Sequence, residues 1–158
     1  MIQVQDGSRV LQFEGDLIGQ SSSYRRGNHR WVEFNLYKTR EEGRYVLSRV
    51  GVSTLYHHPD CEVAIRNKLK DSPFSELSAD AVPCSECRPD QIVFPIVAAE
   101  KNRNWAQVCD TAQAVLEALT KYDAAGSWYL TYVAQRLLED ASETDDEIAS
   151  VYKVETIH

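Results

Sequence analysis

The amino-acid sequence predicts an α+β fold in which an N-terminal antiparallel sheet packs against C-terminal helices. Alternating apolar residues in the first third of the chain are typical of strands, whereas apolar residues spaced three or four apart in the last third are typical of helices. No internal repeat or linker divides the 158 residues. We therefore expect residues 1–158 to form a single domain of ordinary size.

A β-hairpin near residues 31–52 is the clearest strand prediction. Within Trp31–Thr39, Val32, Phe34 and Leu36 alternate with other residues, as expected of a strand with one buried face. Tyr45–Val52 is the natural return strand, and Gly43 in the connection can adopt a positive φ. A less regular alternation over Val10–Ile18 predicts a further strand before this hairpin.

The last third predicts three helices. One apolar stripe favours a long helix over Asn104–Tyr122, and a second stripe favours a helix from Ser127 to Ala141. The spacing in Thr144–Glu147 is that of a capping box, which predicts a third, shorter helix. Just before these helices, Ile92–Ala99 is apolar on both faces and predicts a buried extended segment.

A loop-rich segment near residues 56–89 contains the residues with the clearest chemical meaning. Cys84 and Cys87 form a C-x-x-C pair, whose tight turn can direct two sulfurs to one point. Upstream, His58 and Cys61 offer an imidazole and a thiol three residues apart. We expect these four side chains to bind one Zn²⁺ ion that holds the segment in place.

Several alternatives remain open at this site. His57 can take the place of the neighbouring His58 as the fourth ligand. A thioredoxin-type redox pair is disfavoured because Pro89 falls where the helix after such a pair should continue. The cysteines can also be unrelated core or loop residues, which is our interpretation of Cys109 on the apolar stripe of the first helix.

One resemblance to a known family suggests a catalytic function. The segment Pro83-Cys84-Ser85-Glu86-Cys87 resembles, in form, the P-C-x-x-C half of the zinc nucleoside and base deaminases, whose other half is H-x-E. The resemblance implies a zinc hydrolase in which His58, Cys84 and Cys87 bind the metal and Asp60 replaces the proton-shuttling Glu. Two departures weaken it, because Asp is one methylene shorter than Glu and Cys61 would close the coordination position that catalysis needs.

The distribution of charged residues along the sequence indicates which classes of partner the protein can bind. A net charge of -7 and a pI near 5.1 exclude general attraction to nucleic acid or anionic lipid. The predicted hairpin is locally basic, however, and its aromatic residues can stack on the bases of a single strand. The candidate nucleic-acid-binding residues are Arg25, Arg26, Arg30, Trp31, Tyr37 and Arg49.

Taken together, the sequence favours a non-enzymatic, zinc-stabilised binding or adaptor protein that recognises a protein or a single-stranded nucleic acid. The deaminase-like hydrolase and a nucleic-acid binder that uses the basic aromatic hairpin are the alternatives. No apolar run is long enough to span a bilayer, so we expect no membrane partner. The first residues lack the pattern of a secretory signal, and the expected location is the cytoplasm.

Overall fold

A computed structural model describes residues 1–71, 81–84, 86–87 and 97–152. Their contacts divide the chain into two compact units. Unit 1 consists of Met1–Ser23, Val32–Val50 and Arg103–His158, and unit 2 consists of Tyr24–Trp31 and Gly51–Asn102. That the whole chain forms a single domain stays a prediction.

Sheets and helices are both present, as the predicted α+β class requires. The strands are β1 (Ile2–Asp6), β2 (Arg9–Phe13), β3 (Gly15–Ser22), β4 (Arg30–Thr39), β5 (Tyr45–Ser53), β6 (Leu55–His57), β7 (Val82–Pro83), β8 (Ala98–Ala99), β9 (Arg103–Cys109), β10 (Lys121–Tyr122) and β11 (Trp128–Tyr129). The helices are α1 (Glu62–Arg66), α2 (Ala112–Leu119), α3 (Tyr132–Ser142) and α4 (Asp146–Val151), with a 3-10 turn at Leu69–Asp71.

The main sheet has the strand order β3-β4-β5-β9. The predicted hairpin is confirmed as β4 and β5, and Gly43 in its turn has a φ of 61°. The strand predicted over Val10–Ile18 is interrupted at Glu14, so that β2 pairs with β1 while β3 pairs with β4. β3 is antiparallel to β4, and their register shifts between Leu17 and Gly19.

Helices of unit 1 cover one face of the main sheet. Leu36, Tyr45 and Leu47 from β4 and β5 join the core on this face. The helical residues buried with them are Ala112, Val115, Leu119, Ala134, Leu137, Leu138, Ala141 and Ile148. On the opposite face, Val46 packs in a smaller cluster that contains Val4 of β1. The predicted packing of an N-terminal sheet against C-terminal helices is therefore confirmed.

The long helix predicted over Asn104–Tyr122 is wrong in its first half. Residues 103–109 form β9 at the edge of the main sheet, and only Ala112–Leu119 are helical. Trp105 and Cys109 lie four residues apart, a spacing that puts two side chains on one face of a helix and also on one face of a strand. Thr111 then starts α2, because its hydroxyl accepts a hydrogen bond from the Ala114 amide at 3.1 Å.

The other two helices begin later than expected. Thr131 rather than Ser127 caps the second one, since Trp128 and Tyr129 pair with β10. Asp145 caps the last helix and accepts from the Ile148 amide at 2.9 Å. No helix in the described ranges is long and apolar enough to cross a bilayer.

Unit 2 contains a three-stranded sheet with the order β7-β6-β8. β6 is parallel to β7 and antiparallel to β8, so it is the central strand. Of the extended segment predicted over Ile92–Ala99, Ala98 and Ala99 form β8, whereas residues 92–96 lie outside the described residues. Helix α1 covers Glu62–Arg66 and has Cys61 at its N-cap.

Candidate metal centre

Four side chains of unit 2 converge on one point. His57, Cys61, Cys84 and Cys87 each place a potential ligand atom within 4.8 Å of the ligand atoms of the other three. His57, Cys84 and Cys87 are buried, and Cys61 is partly buried. Three thiols and one imidazole in this arrangement could hold a metal ion.

The backbone of unit 2 explains this convergence. His57 ends the central strand β6, and the Cys84 amide extends the β6–β7 pairing with a 2.9 Å hydrogen bond to the Tyr56 carbonyl. A turn brings Cys87 back to Cys84, whose carbonyl accepts from the Cys87 amide at 3.1 Å. A second turn brings Cys61 to the start of α1, since its amide donates to the His58 carbonyl at 2.9 Å.

One of the two separations between sulfur atoms matches the value expected of a tetrahedral metal site. Sγ of Cys61 lies 3.8 Å from Sγ of Cys84, which in turn lies 3.2 Å from Sγ of Cys87. Zn–S distances of about 2.3 Å in a tetrahedron require about 3.8 Å between sulfurs. The first separation meets this requirement and the second is shorter.

The orientation of His57 is fixed by Glu100. Nε2 of His57 lies 3.0 Å from Oε1 of Glu100, whereas Nδ1 is buried and has no hydrogen-bond partner among the described residues. The imidazole itself is fully buried. Because a buried polar atom without a partner is costly, Nδ1 is the atom of this ring that is available to a ligand.

Glu100 is held in turn by two further side chains of unit 2. Its Oε2 accepts from Ser53 Oγ at 2.7 Å and from Arg30 Nε at 2.9 Å, and Oε1 also accepts from Arg30. The Glu100 amide donates to the Leu55 carbonyl at 3.0 Å, which continues the β6–β8 ladder and places this carboxylate beside His57. A carboxylate that fixes an imidazole in this way is typical of histidines that bind metals.

The pKa values of the site follow from burial and close contacts. Burial raises the pKa of the Cys87 thiol to about 12, and the neighbouring sulfurs of Cys84 and Cys61 add to the rise. Burial also tends to raise the pKa of Cys61. Hydrogen bonds from Cys87 and from the first amides of α1 outweigh this effect, so the pKa of Cys61 is lowered. At Glu100, the hydrogen bonds with Arg30, Ser53 and His57 outweigh burial and lower the pKa to about 2.

His58, the histidine first chosen from the sequence, lies beside the cluster but is engaged differently. Its Nδ1 accepts from the Asp60 amide at 3.2 Å, and its own amide donates to Sγ of Cys87 at 3.4 Å. The carboxylate of Asp60 is 88% exposed. The group of converging ligand atoms contains His57, which the sequence left as the alternative.

Cys109 lies apart from the candidate metal centre. It is buried in the core of unit 1, as the apolar pattern predicts. Burial raises the pKa of its thiol, and the nearby Asp110 adds to the rise. All four cysteines are free thiols.

The candidate nucleic-acid-binding residues are distributed over both units. Arg25, Arg26, Arg30 and Trp31 belong to unit 2, whereas Tyr37 and Arg49 belong to unit 1. Arg25 and Arg26 are exposed, Arg30 pairs with Glu100, and Trp31 packs edge-on against Tyr24 with 4.8 Å between ring centroids.

Within unit 1, Tyr37 and Arg49 lie on opposite faces of the main sheet. Tyr37 packs in the cluster of Val4 and Val46, and burial raises its pKa. Arg49 alternates with Tyr45 and Leu47 and so faces the helix-covered side. These two side chains do not form a common platform.

Sequence reasoning missed Glu100. It lies 43 residues beyond His57, and no motif joins the two positions. The only available signal was an acidic residue directly after the apolar run that ends at Ala99. Only the pairing of β6 with β8 brings that residue to the imidazole.

The fold and the cluster define an α+β chain with a candidate metal centre of three thiols and one imidazole. No protein-family model, curated protein or solved structure matches this chain. The function therefore has to be inferred from the chemistry of its own residues.

Proposed function

We propose that His57, Cys61, Cys84 and Cys87 bind one structural zinc ion in a non-enzymatic binding protein. The observation that supports this proposal most strongly is the buried imidazole of His57. Its Nε2 is held by Glu100, its Nδ1 has no partner among the described residues, and the ring offers one nitrogen to a group with three thiols. Coordination of a metal would satisfy this nitrogen.

The donor set favours zinc and a structural role. Thiolates and imidazole are ligands that zinc prefers, and a Cys₃His set is one of the common structural combinations. Four protein ligands leave no position open for a water nucleophile, because Cys61 belongs to the same group as the C-x-x-C pair. The deaminase-like alternative requires that fourth position to be free.

The composition of its interior explains why unit 2 would need a metal ion. The buried apolar residues among its described positions are Ala64, Val97 and Ala98, together with Cys84 and Cys87. Such small side chains contribute little hydrophobic stabilisation. A zinc ion would add to the free energy of folding that these described residues supply.

Partner recognition is the activity that we propose for a chain with a closed metal site. A protein partner is favoured over nucleic acid, because the net charge is -7 and the exposed aromatic residues Tyr122, Trp128 and Tyr132 are of a type enriched at protein interfaces. Four cysteines without disulfides suit a reducing compartment, so the location that we propose is the cytoplasm.

The first experiment measures zinc per chain in the purified, untagged protein by elemental analysis. We expect about one zinc ion per chain in a Cys₃His site. His57→Ala and Cys61→Ser should lose it, whereas the adjacent His58→Ala serves as the matched control and should keep it. Absence of zinc from the unaltered protein contradicts the proposal. Zinc kept by Cys61→Ser but lost by His58→Ala would favour the deaminase-like alternative.

A second experiment separates the two classes of partner. Fluorescence anisotropy of a labelled single-stranded oligonucleotide should show no binding at physiological salt, because the protein is acidic overall. Binding that weakens steeply with salt and is lost in Arg25→Ala and Arg26→Ala would instead make nucleic acid the partner.

A further inference from the structure

Unit 1 contains a groove on the helix-covered face of its main sheet. The groove has a volume of about 370 Å³ and is lined by Val32 and Phe34 of β4, Trp105 of β9, Leu119 of α2 and Val133 of α3. Pockets for small molecules usually have about 300–1,000 Å³ and a mostly apolar lining. The groove meets both conditions, and it adjoins the core because Leu119 belongs to both.

Arg49 breaks the apolar pattern of the strand that it occupies. Tyr45 and Leu47 are fully buried on the face of β5 that the helices cover, and the next side chain on that face is Arg49. Its side chain lines the groove. Arg49 itself is exposed, so its guanidinium is accessible to a ligand at the groove.

The polar side chains that line the groove are all able to donate hydrogen bonds. Arg49 and Lys121 are cations, and Ser23 and Thr131 carry hydroxyls. Each hydroxyl oxygen already accepts from a backbone amide, at 2.8 Å from Val32 to Ser23 and at 3.2 Å from Ala134 to Thr131. Their hydrogens remain for another acceptor, and no carboxylate belongs to the lining.

The two cations of the groove differ from Lys38 and Arg44, two other cations of unit 1. Lys38 pairs with Asp145 at 2.8 Å, and Arg44 pairs with Asp110 at 2.9 Å. Within the described residues, neither Arg49 nor Lys121 has a carboxylate within ion-pair distance. A ligand of negative charge would therefore be complementary to the groove.

We propose that this groove binds a small organic anion with a flat aromatic body. The ring packs against Trp105 and Phe34, and its carboxylate or phosphate receives hydrogen bonds from Arg49 and Lys121. Both the aromatic carboxylates and the nucleotides have this chemistry. The site lies wholly in unit 1, so it is independent of the zinc ion proposed for unit 2.

The test uses 8-anilinonaphthalene-1-sulfonate, an aromatic anion whose fluorescence rises in apolar surroundings, and its uncharged analogue N-phenyl-1-naphthylamine. We expect one saturable site for the sulfonate. Its affinity should fall about tenfold in Arg49→Gln, because a hydrogen bond to a charged group is lost. The uncharged analogue should bind the unaltered protein and Arg49→Gln equally well.

Two further variants and one control variant locate the site. Val133→Trp fills the groove and should abolish binding of both probes, and Lys121→Gln is a second charge variant should Val133→Trp fail to fold. Arg136→Gln removes the same charge from an exposed position of α3 outside the lining and should change nothing. Sulfonate affinity within about twofold of the unaltered protein in both Arg49→Gln and Lys121→Gln overturns the proposal.

Competition then distinguishes the two sources of this chemistry. Displacement of the sulfonate by 2-naphthoate alone supports an aromatic carboxylate, and displacement by adenosine monophosphate supports a nucleotide. Displacement by neither compound overturns the assignment of an aromatic carboxylate or phosphate.

Discussion

The two units of this chain differ in the size and polarity of the side chains that they bury. Unit 1 fully buries large side chains such as Tyr45, Leu137 and Leu138 between its main sheet and its helices. The buried apolar side chains at the described positions of unit 2 are small, and at its centre lies a polar group of one imidazole and three thiols. Hydrophobic burial can account for the stability of unit 1, whereas the proposed zinc ion would contribute to the stability of unit 2.

The contacts of two carboxylates, Asp145 and Glu100, show the same contrast. In unit 1, Asp145 is satisfied by Lys38, Tyr45 and the Ile148 amide, so its network is closed within the protein. In unit 2, Glu100 is equally well held, but the imidazole that it orients still has a nitrogen without a partner among the described residues. The Asp145 network therefore completes the core of unit 1, whereas the Glu100 network orients an imidazole that can bind a ligand.

Removal of the metal should produce the largest difference between the units. After treatment with a strong zinc chelator, backbone amides of unit 2 such as those of Cys84 and Cys87 should lose protection in hydrogen exchange, because structural zinc contributes on the order of 10 kcal/mol to folding in small zinc domains. Amides of α3 should stay protected. Equal loss in both units, or loss in neither, would refute the comparison.

A core substitution should produce the converse result. Leu137→Ala should lower the free energy of unfolding of unit 1 by about 2–5 kcal/mol, because it leaves a cavity among fully buried side chains. Urea unfolding followed by circular dichroism measures the loss, and zinc per chain should not change. Leu17→Ala is the matched control, since Leu17 is exposed, and it should have little effect. Loss of zinc from the Leu137 variant would show that the units are not separate in stability.

The role of Glu100 can be measured as metal affinity. Glu100→Gln should weaken zinc binding about 10- to 100-fold, because the carboxylate that orients His57 becomes a neutral amide. Competition with a chromophoric chelator gives this affinity. Glu86→Gln removes an equal charge from an exposed residue next to Cys87 and should leave the affinity unchanged. Equal weakening in both variants would indicate a general effect of charge rather than orientation of the imidazole.

The smallest effect should be the acid sensitivity of unit 1. Burial would raise the pKa of Asp145, but the contacts with Lys38, the Ile148 amide and Tyr45 outweigh it and lower the pKa. The carboxylate therefore stabilises unit 1 above the unfolded pKa of about 3.9, and this contribution is lost as the pH falls through the lower folded pKa. Asp145→Asn should reduce stability at neutral pH by about 1–3 kcal/mol and flatten the acid dependence of the unfolding midpoint.

Asp146→Asn is the control for this measurement, because Asp146 is exposed in the first turn of the same helix. It should leave the acid dependence almost unchanged. An unaltered acid profile in Asp145→Asn would contradict the assigned role of Asp145.

The sequence was sufficient for the hairpin and for three of the four converging ligands. The alternation of side chains over Trp31–Thr39 indicates a strand. The C-x-x-C spacing brings Cys84 and Cys87 together by a local turn. The choice between His57 and His58 was not accessible from the sequence. It depends on which face of β6 meets the rest of the site, and that face is set by pairing with β8.

Strand β9 was missed for a related reason. The spacing of Trp105 and Cys109 fits one face of a helix and also one face of a strand, and only the open edge of β5 decides between them. Val108 and Trp105, counted as part of a buried stripe, are 40% and 37% exposed. Tertiary pairing therefore overrode the local pattern where residues 103–109 join the sheet.

X-ray absorption spectroscopy at the zinc edge tests the central claim most directly. A closed site predicts three sulfur neighbours at about 2.3 Å and one nitrogen at about 2.0 Å, with outer-shell scattering from a single imidazole. Two sulfurs, one nitrogen and an oxygen from water would contradict it, because the metal would then have an open position and a catalytic rather than a structural role.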